Sequence, residues 1–328
     1  MLSTVLRVMQ RPIVRLILLL ATFAFIVLAL RDQWSEVADA WATREFAWGW
    51  ITLSTIIVLC TYAALIQSWR MLLSGWGGHL GYWTATRIWT IANLGRWLPG
   101  KVWSIGALGL MASQEGVSGV AAAGASILGT LLNLGAGLAV AVIFSADGLE
   151  AIAPGFRVVS ILAAVGFVAG IVVLPRLLPV LLNAFARWRG LPLPAQHLTA
   201  RQIWLATSIN VFSWLAYGIA FALFAKGVTP RISSDPLLFI AVFSASYLVG
   251  FLALFSPGGL GFRELALGGM LVGLGMSGQG DAAILSATSR IWLTVLEVVP
   301  GIVGLFTLSP SQRAVLSRSH APSEKVGR

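Results

Sequence analysis

Apolar residues in this chain come in runs too long for a soluble core. Stretches 13–30, 47–67, 117–146, 156–174, 203–226 and 282–308 are predicted as helices. Each is near or above the roughly 17–20 residues needed to cross a bilayer core. The run 117–146 is long enough to demand tilt or protrusion. Two further apolar regions, 83–114 and 236–276, are interrupted. The first contains Arg96, Pro99, Gly100 and Lys101; the second reads Ser256, Pro257, Gly258, Gly259, Leu260, Gly261, Phe262, Arg263, Glu264. Proline removes a backbone donor and breaks a helix, and glycine permits the sharp turn that follows. Hydrocarbon tolerates neither bare backbone nor bare charge, so both breaks belong inside protein or on a wet cavity.

Composition strengthens the membrane reading. The chain is 58% hydrophobic and 10% charged, with a mean hydropathy of +0.87, where a soluble chain is about 25% charged. The net charge of +10 does not point to nucleic acid, because no basic helix or aromatic platform stands apart from the spans. The basic residues instead occupy short loops. Cys60 lies within an apolar span and reads as a small core residue. A lone cysteine makes no internal disulfide. His79, His197 and His320 fall in predicted loops or the tail without metal-ligand spacing, so no metal or cofactor is implied.

Loop charge orients the spans. Arg7, Arg11 and Arg15 precede the first span, which reads as retained rather than as a cleaved signal. Positive charge also marks Arg70 and Arg87, loop 175–201 and the tail after 309, whereas loops 31–46 and 147–157 are net negative. Lysine and arginine mark the cytoplasmic side. Both termini are therefore expected inside. Region 83–114 must then enter and return on the cytoplasmic side, and region 236–276 must do so from outside, although 236–256 alone is long enough to cross. The expected fold is an all-α polytopic membrane protein of two inverted repeats. Each repeat has three transmembrane helices plus a re-entrant hairpin broken at Pro-Gly. The first covers 1–150 and the second 151–310, followed by a basic cytoplasmic tail, 311–328. Such repeats are a recurrent transporter plan, with the binding site at the broken helices.

The elements Asn93–Gly100 and Ser256–Glu264, followed by a span carrying Arg290, resemble the lysylphosphatidylglycerol synthase membrane-region family, also called flippase-like. The resemblance covers roughly 10 to 310, and the second element is the more specific. It implies a polytopic, lipid-handling protein of the bacterial inner membrane that moves a lipid between leaflets. Substrates attributed to that family are aminoacylated phospholipids and isoprenoid-linked lipids. The soluble aminoacyl-transferase domain of the synthase has no counterpart after the last span, so lysyl-lipid synthesis is not expected.

Six ionisable residues fall at membrane depth: Arg96, Lys101, Arg263, Glu264, Arg290 and Glu297. Each costs ~2.5–3.5 kcal/mol at a helix centre and needs pairing or water. Arg290 and Glu297, seven apart, share a face but are too distant along it for an ideal pair; Arg290 is expected to meet Glu264 or a substrate. Arg96 and Lys101 have no carboxylate downstream before Glu115. Excess cation at a broken helix suits an anionic headgroup, which arginine grips through parallel hydrogen bonds. Arg263–Glu264 and Arg290–Glu297 could instead simply brace the second hairpin against the last span. Asn133, Asn210, Tyr217 and Tyr247 are expected to form interhelical hydrogen bonds, and Trp97 to line a lipid path or belong to the aromatic belt. The expected function is a non-enzymatic lipid transporter or flippase for a lipid with an anionic headgroup. Two alternatives stand beside it: a membrane-embedded lipid-linked transferase using Glu264 or Glu297, and a non-catalytic scaffold whose partner is a lipid-synthesising enzyme. The oligomeric state has no signature in the sequence.

Overall fold

A computed structural model describes residues 45–97, 102–145, 155–189, 198–230, 232, 235–253 and 256–307. The expected span 13–30, most of loop 31–46, the break residues Pro99 and Gly100, Lys101 and the tail lie outside the described residues. Every regular element among the described residues is helical: α1 (Trp48–Gly75), α2 (Tyr82–Asn93), a 3-10 turn (Leu94–Trp97), α3 (Val102–Gln114), α4 (Gly119–Phe144), α5 (Phe156–Arg189), α6 (Ala200–Val228), α7 (Pro236–Leu252), a second 3-10 turn (Pro257–Gly259), α8 (Phe262–Gly273) and α9 (Gln279–Phe306). Helices α1, α4, α5, α6 and α9 are long and apolar enough to cross a membrane. Their outer faces present bare apolar side chains, such as Leu131, Leu162 and Phe212, each at least 60% exposed. Such a surface fits contact with lipid.

Helix starts follow local chemistry. Thr199 caps α6: its hydroxyl accepts from the Gln202 N–H, and the Gln202 side chain accepts from the Thr199 N–H. Asp235 caps α7, with Pro236 in the first turn. Small residues then set how close helices come. A Cβ on Gly218 would stand 2.5 Å from the Ile240 Cα, so α6 and α7 meet almost backbone to backbone.

The order long helix, two short helices around a 3-10 turn, long helix occurs twice, as α1–α4 and α6–α9. Packing repeats with it. Helices α1 and α6 pack along each other, α7 lies on α4 as α2 lies on α9, and α3 lies on α4 as α8 lies on α9. The two 3-10 turns touch at the centre.

Two expectations need correction. Helix α5 continues to Arg189, so the proposed loop 175–201 is helical over its first half. Pro175 and Pro179 do not end it; apolar helices carry proline where side chains or neighbours satisfy the freed carbonyls. Helix α7 ends at Leu252 after 17 residues, inside the interrupted region 236–276. Cys60 faces outward rather than inward; within α1 the buried stripe runs through Val58, Thr61 and Tyr62.

Candidate functional site

The second break is a turn that only glycine can build. Gly258, Gly259 and Gly261 have φ of 59°, 73° and 81°, a region where a Cβ clashes with the backbone. A Cβ on Gly259 would also lie 2.4 Å from the Gly250 carbonyl oxygen. This turn starts α8, whose third residue, Glu264, accepts a 2.7 Å hydrogen bond from the Gly261 N–H through Oε2. A carboxylate there meets the positive end of the helix dipole. Its neighbour Arg263 is thrown to the interior on the adjacent face.

Arg290, from α9, closes on the same turn. Its Nε lies 3.5 Å from Glu264 Oε1, with both side chains 6% exposed. Its Nη2 donates to the Gly258 carbonyl at 2.9 Å, and its guanidinium sits 4.9 Å from the ring of Trp97. Trp97 is buried and belongs to the first break, so Arg290 ties the two breaks together. Gly258 carries no Cβ at the point where one would meet Arg290 Nη2 and Trp97 within 3.0 Å.

Arg96, at the first break, pairs with Glu297 at 2.5 Å across the molecule and also donates to the Tyr247 hydroxyl. Arg290 therefore meets Glu264, as the spacing on α9 implied, and Glu297 is held by a residue 201 positions away. Nothing local in the sequence shows that pairing.

Arg263 differs from the other two arginines. It is 4% exposed, and its guanidinium lies 5.4 Å from the rings of both Phe243 and Tyr247. Its Nε and Nη2 find no hydrogen-bond partner among the described residues. Two buried donors left unmet cost on the order of 1–3 kcal/mol each.

These groups border one cavity of about 420 Å³, which Arg96, Arg263, Arg290 and Glu297 line together. Its walls come from both halves of the chain, from Tyr62 on α1 to Glu297 on α9. Across Arg96, Arg263, Arg290, Glu264 and Glu297, three guanidiniums stand against two carboxylates. The aromatic wall was not anticipated as a site: Tyr62, Trp89, Trp214, Tyr217, Phe243 and Tyr247 contact one another ring to ring. A signal existed. Asn210, Trp214 and Tyr217 fall at i, i+4 and i+7, and Phe243 and Tyr247 at i and i+4, so each set shares one helix face. Trp97 packs on Arg290 inside the protein rather than in an interfacial belt, whereas Trp48 and Trp50 are exposed at the start of α1. Lys101, Pro99 and Gly100 lie outside the described residues.

Among curated proteins none matches the chain. The family described as the lysylphosphatidylglycerol synthase TM region matches residues 13–301, a span that holds every helix up to the last turn of α9 and every ionisable group of the cavity. With that match and five membrane-length apolar helices, the chain belongs to this family and is a multi-pass membrane protein of a lipid-handling group.

Proposed function

We propose that the protein carries a lipid with an anionic headgroup between the leaflets of the bacterial inner membrane, without chemical conversion. The observation that carries this reading is Arg263: a buried cation with unmet donors, turned to a cavity where the two helix breaks meet. A cation that served only as a brace would be expected to have its donors satisfied, as Arg96 has through Glu297 and Tyr247; Arg290 keeps Nη2 on the Gly258 carbonyl but leaves Nε unmet, and Arg263 leaves both Nε and Nη2 unmet. An anionic oxygen pair would complete it, through bidentate hydrogen bonds. Both carboxylates are engaged by arginines, which fits a holding role better than general acid or base catalysis.

The architecture we infer is a pair of inverted repeats with re-entrant hairpins. Helices α2, α3, α7 and α8 have 12, 13, 17 and 12 residues. At 1.5 Å per residue they reach about 18–26 Å, short of a bilayer core of about 30 Å. The repeated order and packing of α1–α4 and α6–α9 support the same reading. Headgroup passage with the tails left in the bilayer, driven by rocking of one repeat against the other, follows the general plan of such folds. Both termini are placed in the cytoplasm on loop charge.

The test is transport of fluorescent phosphatidylglycerol in proteoliposomes. Wild-type protein should move it across the bilayer, and Arg263→Ala should not, with both variants inserted and folded. Wild-type transport by Arg263→Ala would remove the basis of the proposal.

A further inference from the structure

One face of α7 forms a slot for Arg263. Phe243, Tyr247 and Gly250 fall at i, i+4 and i+7 and so share that face. A Cβ on Gly250 would stand 2.8 Å from the Arg263 Cβ, so the arginine side chain starts where glycine leaves room for it. Its guanidinium then reaches along α7 to lie 5.4 Å from both the Phe243 and the Tyr247 rings. The Tyr247 ring is itself held. Phe243 stacks beside it at 6.1 Å, and Trp214 meets it edge to face at 5.4 Å. Its hydroxyl accepts a 2.5 Å hydrogen bond from Arg96 Nη2, while Nη1 of the same planar guanidinium is on Glu297. One rigid fork thus sets the angle between its two partners. The contacts run in a chain from Glu297 through Arg96 and Tyr247 to Arg263. Of these four, Arg96 comes from the first half of the molecule and the others from the second.

We propose that Tyr247 is a positioning residue for headgroup binding: its hydroxyl, held by Arg96, fixes the ring that aims the Arg263 fork into the cavity. The claim rests on the transport reading above and adds how the first break governs a cation of the second. A loose arginine gives up rotamer freedom when it grips an anion, and one already laid on a fixed ring gives up less. Orientation matters here because the grip consists of two parallel hydrogen bonds, which a wrongly turned plane does not make. A lysine ammonium carries the charge without such a plane. Tyr247 also borders the cavity, so direct contact between its hydroxyl and the headgroup is the competing account. Arg263→Lys separates the two.

The experiment measures initial rates of fluorescent phosphatidylglycerol transport by the full chain in proteoliposomes, against the mole fraction of that lipid. Tyr247→Phe keeps the ring and removes the hydroxyl. It should raise KM about fivefold, the factor one hydrogen bond supplies, and leave kcat within about twofold. In the Arg263→Lys background, Tyr247→Phe should change KM by less than about twofold, because no planar fork remains to aim. Gly250→Ala pushes on the Arg263 stem from the other end of the slot and should also raise KM without a matching loss of kcat. A loss of kcat or of folded protein with KM unchanged marks a merely structural role and overturns the inference. An equal rise in KM in both backgrounds marks direct contact and overturns it too. Should Tyr247→Phe fail to fold, or Arg263→Lys be inactive, Gly250→Ala decides, and an unchanged KM there sinks the idea. If wild type moves no phosphatidylglycerol, or Arg263→Ala moves it normally, the transport reading falls and this inference with it. Normal kinetics for Tyr247→Phe beside an inactive Arg263→Ala remove the inference alone.

Discussion

Arg263 and Arg290 are both buried cations beside the same turn, yet replacing each with glutamine should have opposite consequences. Arg290→Gln removes the ion pair with Glu264, the hydrogen bond to Gly258 and the contact with Trp97. It leaves Glu264 as a charge 7% exposed without its cation. Breaking a buried pair from one side costs about 3–5 kcal/mol. Arg263→Gln loses two cation–π contacts, worth roughly 0.5–2 kcal/mol each. It also removes two unmet buried donors, relieving about 1–3 kcal/mol each. The terms offset, and stability should stay within about 2 kcal/mol of wild type. Transport should not survive, because charge-assisted hydrogen bonds to the headgroup contribute about 1.5–3 kcal/mol, or roughly 10–150-fold. Thermal unfolding followed by the fluorescence of the fourteen tryptophans reports the first quantity. Dithionite quenching of labelled phosphatidylglycerol in proteoliposomes reports the second. The reasoning is refuted if Arg263→Gln is as unstable as Arg290→Gln, or if it transports normally.

The glycines of the second break should rank by what an added methyl meets. Gly259→Ala should be the most destabilised, with a Cβ 2.4 Å from a backbone oxygen, then Gly258→Ala, then Gly261→Ala, which meets no atom within 4 Å and bears only its φ strain of about 1–3 kcal/mol; unfolding midpoints check the order. A double-mutant cycle with Arg96→Ala and Glu297→Ala should show a coupling of about 1–3 kcal/mol, whereas additive losses would mean that the pair is not formed. Gly218→Leu should part α6 from α7 and abolish the monodisperse peak in size-exclusion chromatography, since the Ile240 backbone cannot move aside.

Among the described residues, five spans and the second break were legible in the linear sequence because a membrane imposes long apolar runs and makes each exception conspicuous. Arg263, Glu264, Arg290 and Glu297 stood out only by being ionic where nothing else was. The extent of α5 was not legible, because a proline-bearing apolar stretch reads as a helix terminus in a linear sequence.

What the sequence determined by itself was the solvent: hydropathy demanded lipid, and the Pro-Gly breaks located where helices must end within it. What only the tertiary structure decided was pairing. Arg96 could have met any carboxylate, and it took Glu297, 201 residues away. Arg263 lost its adjacent carboxylate to Arg290 because consecutive residues on a helix point about 100° apart. Helix periodicity is local, but the closing of charges depends on which faces the whole bundle turns inward, and no short-range pattern carries that information.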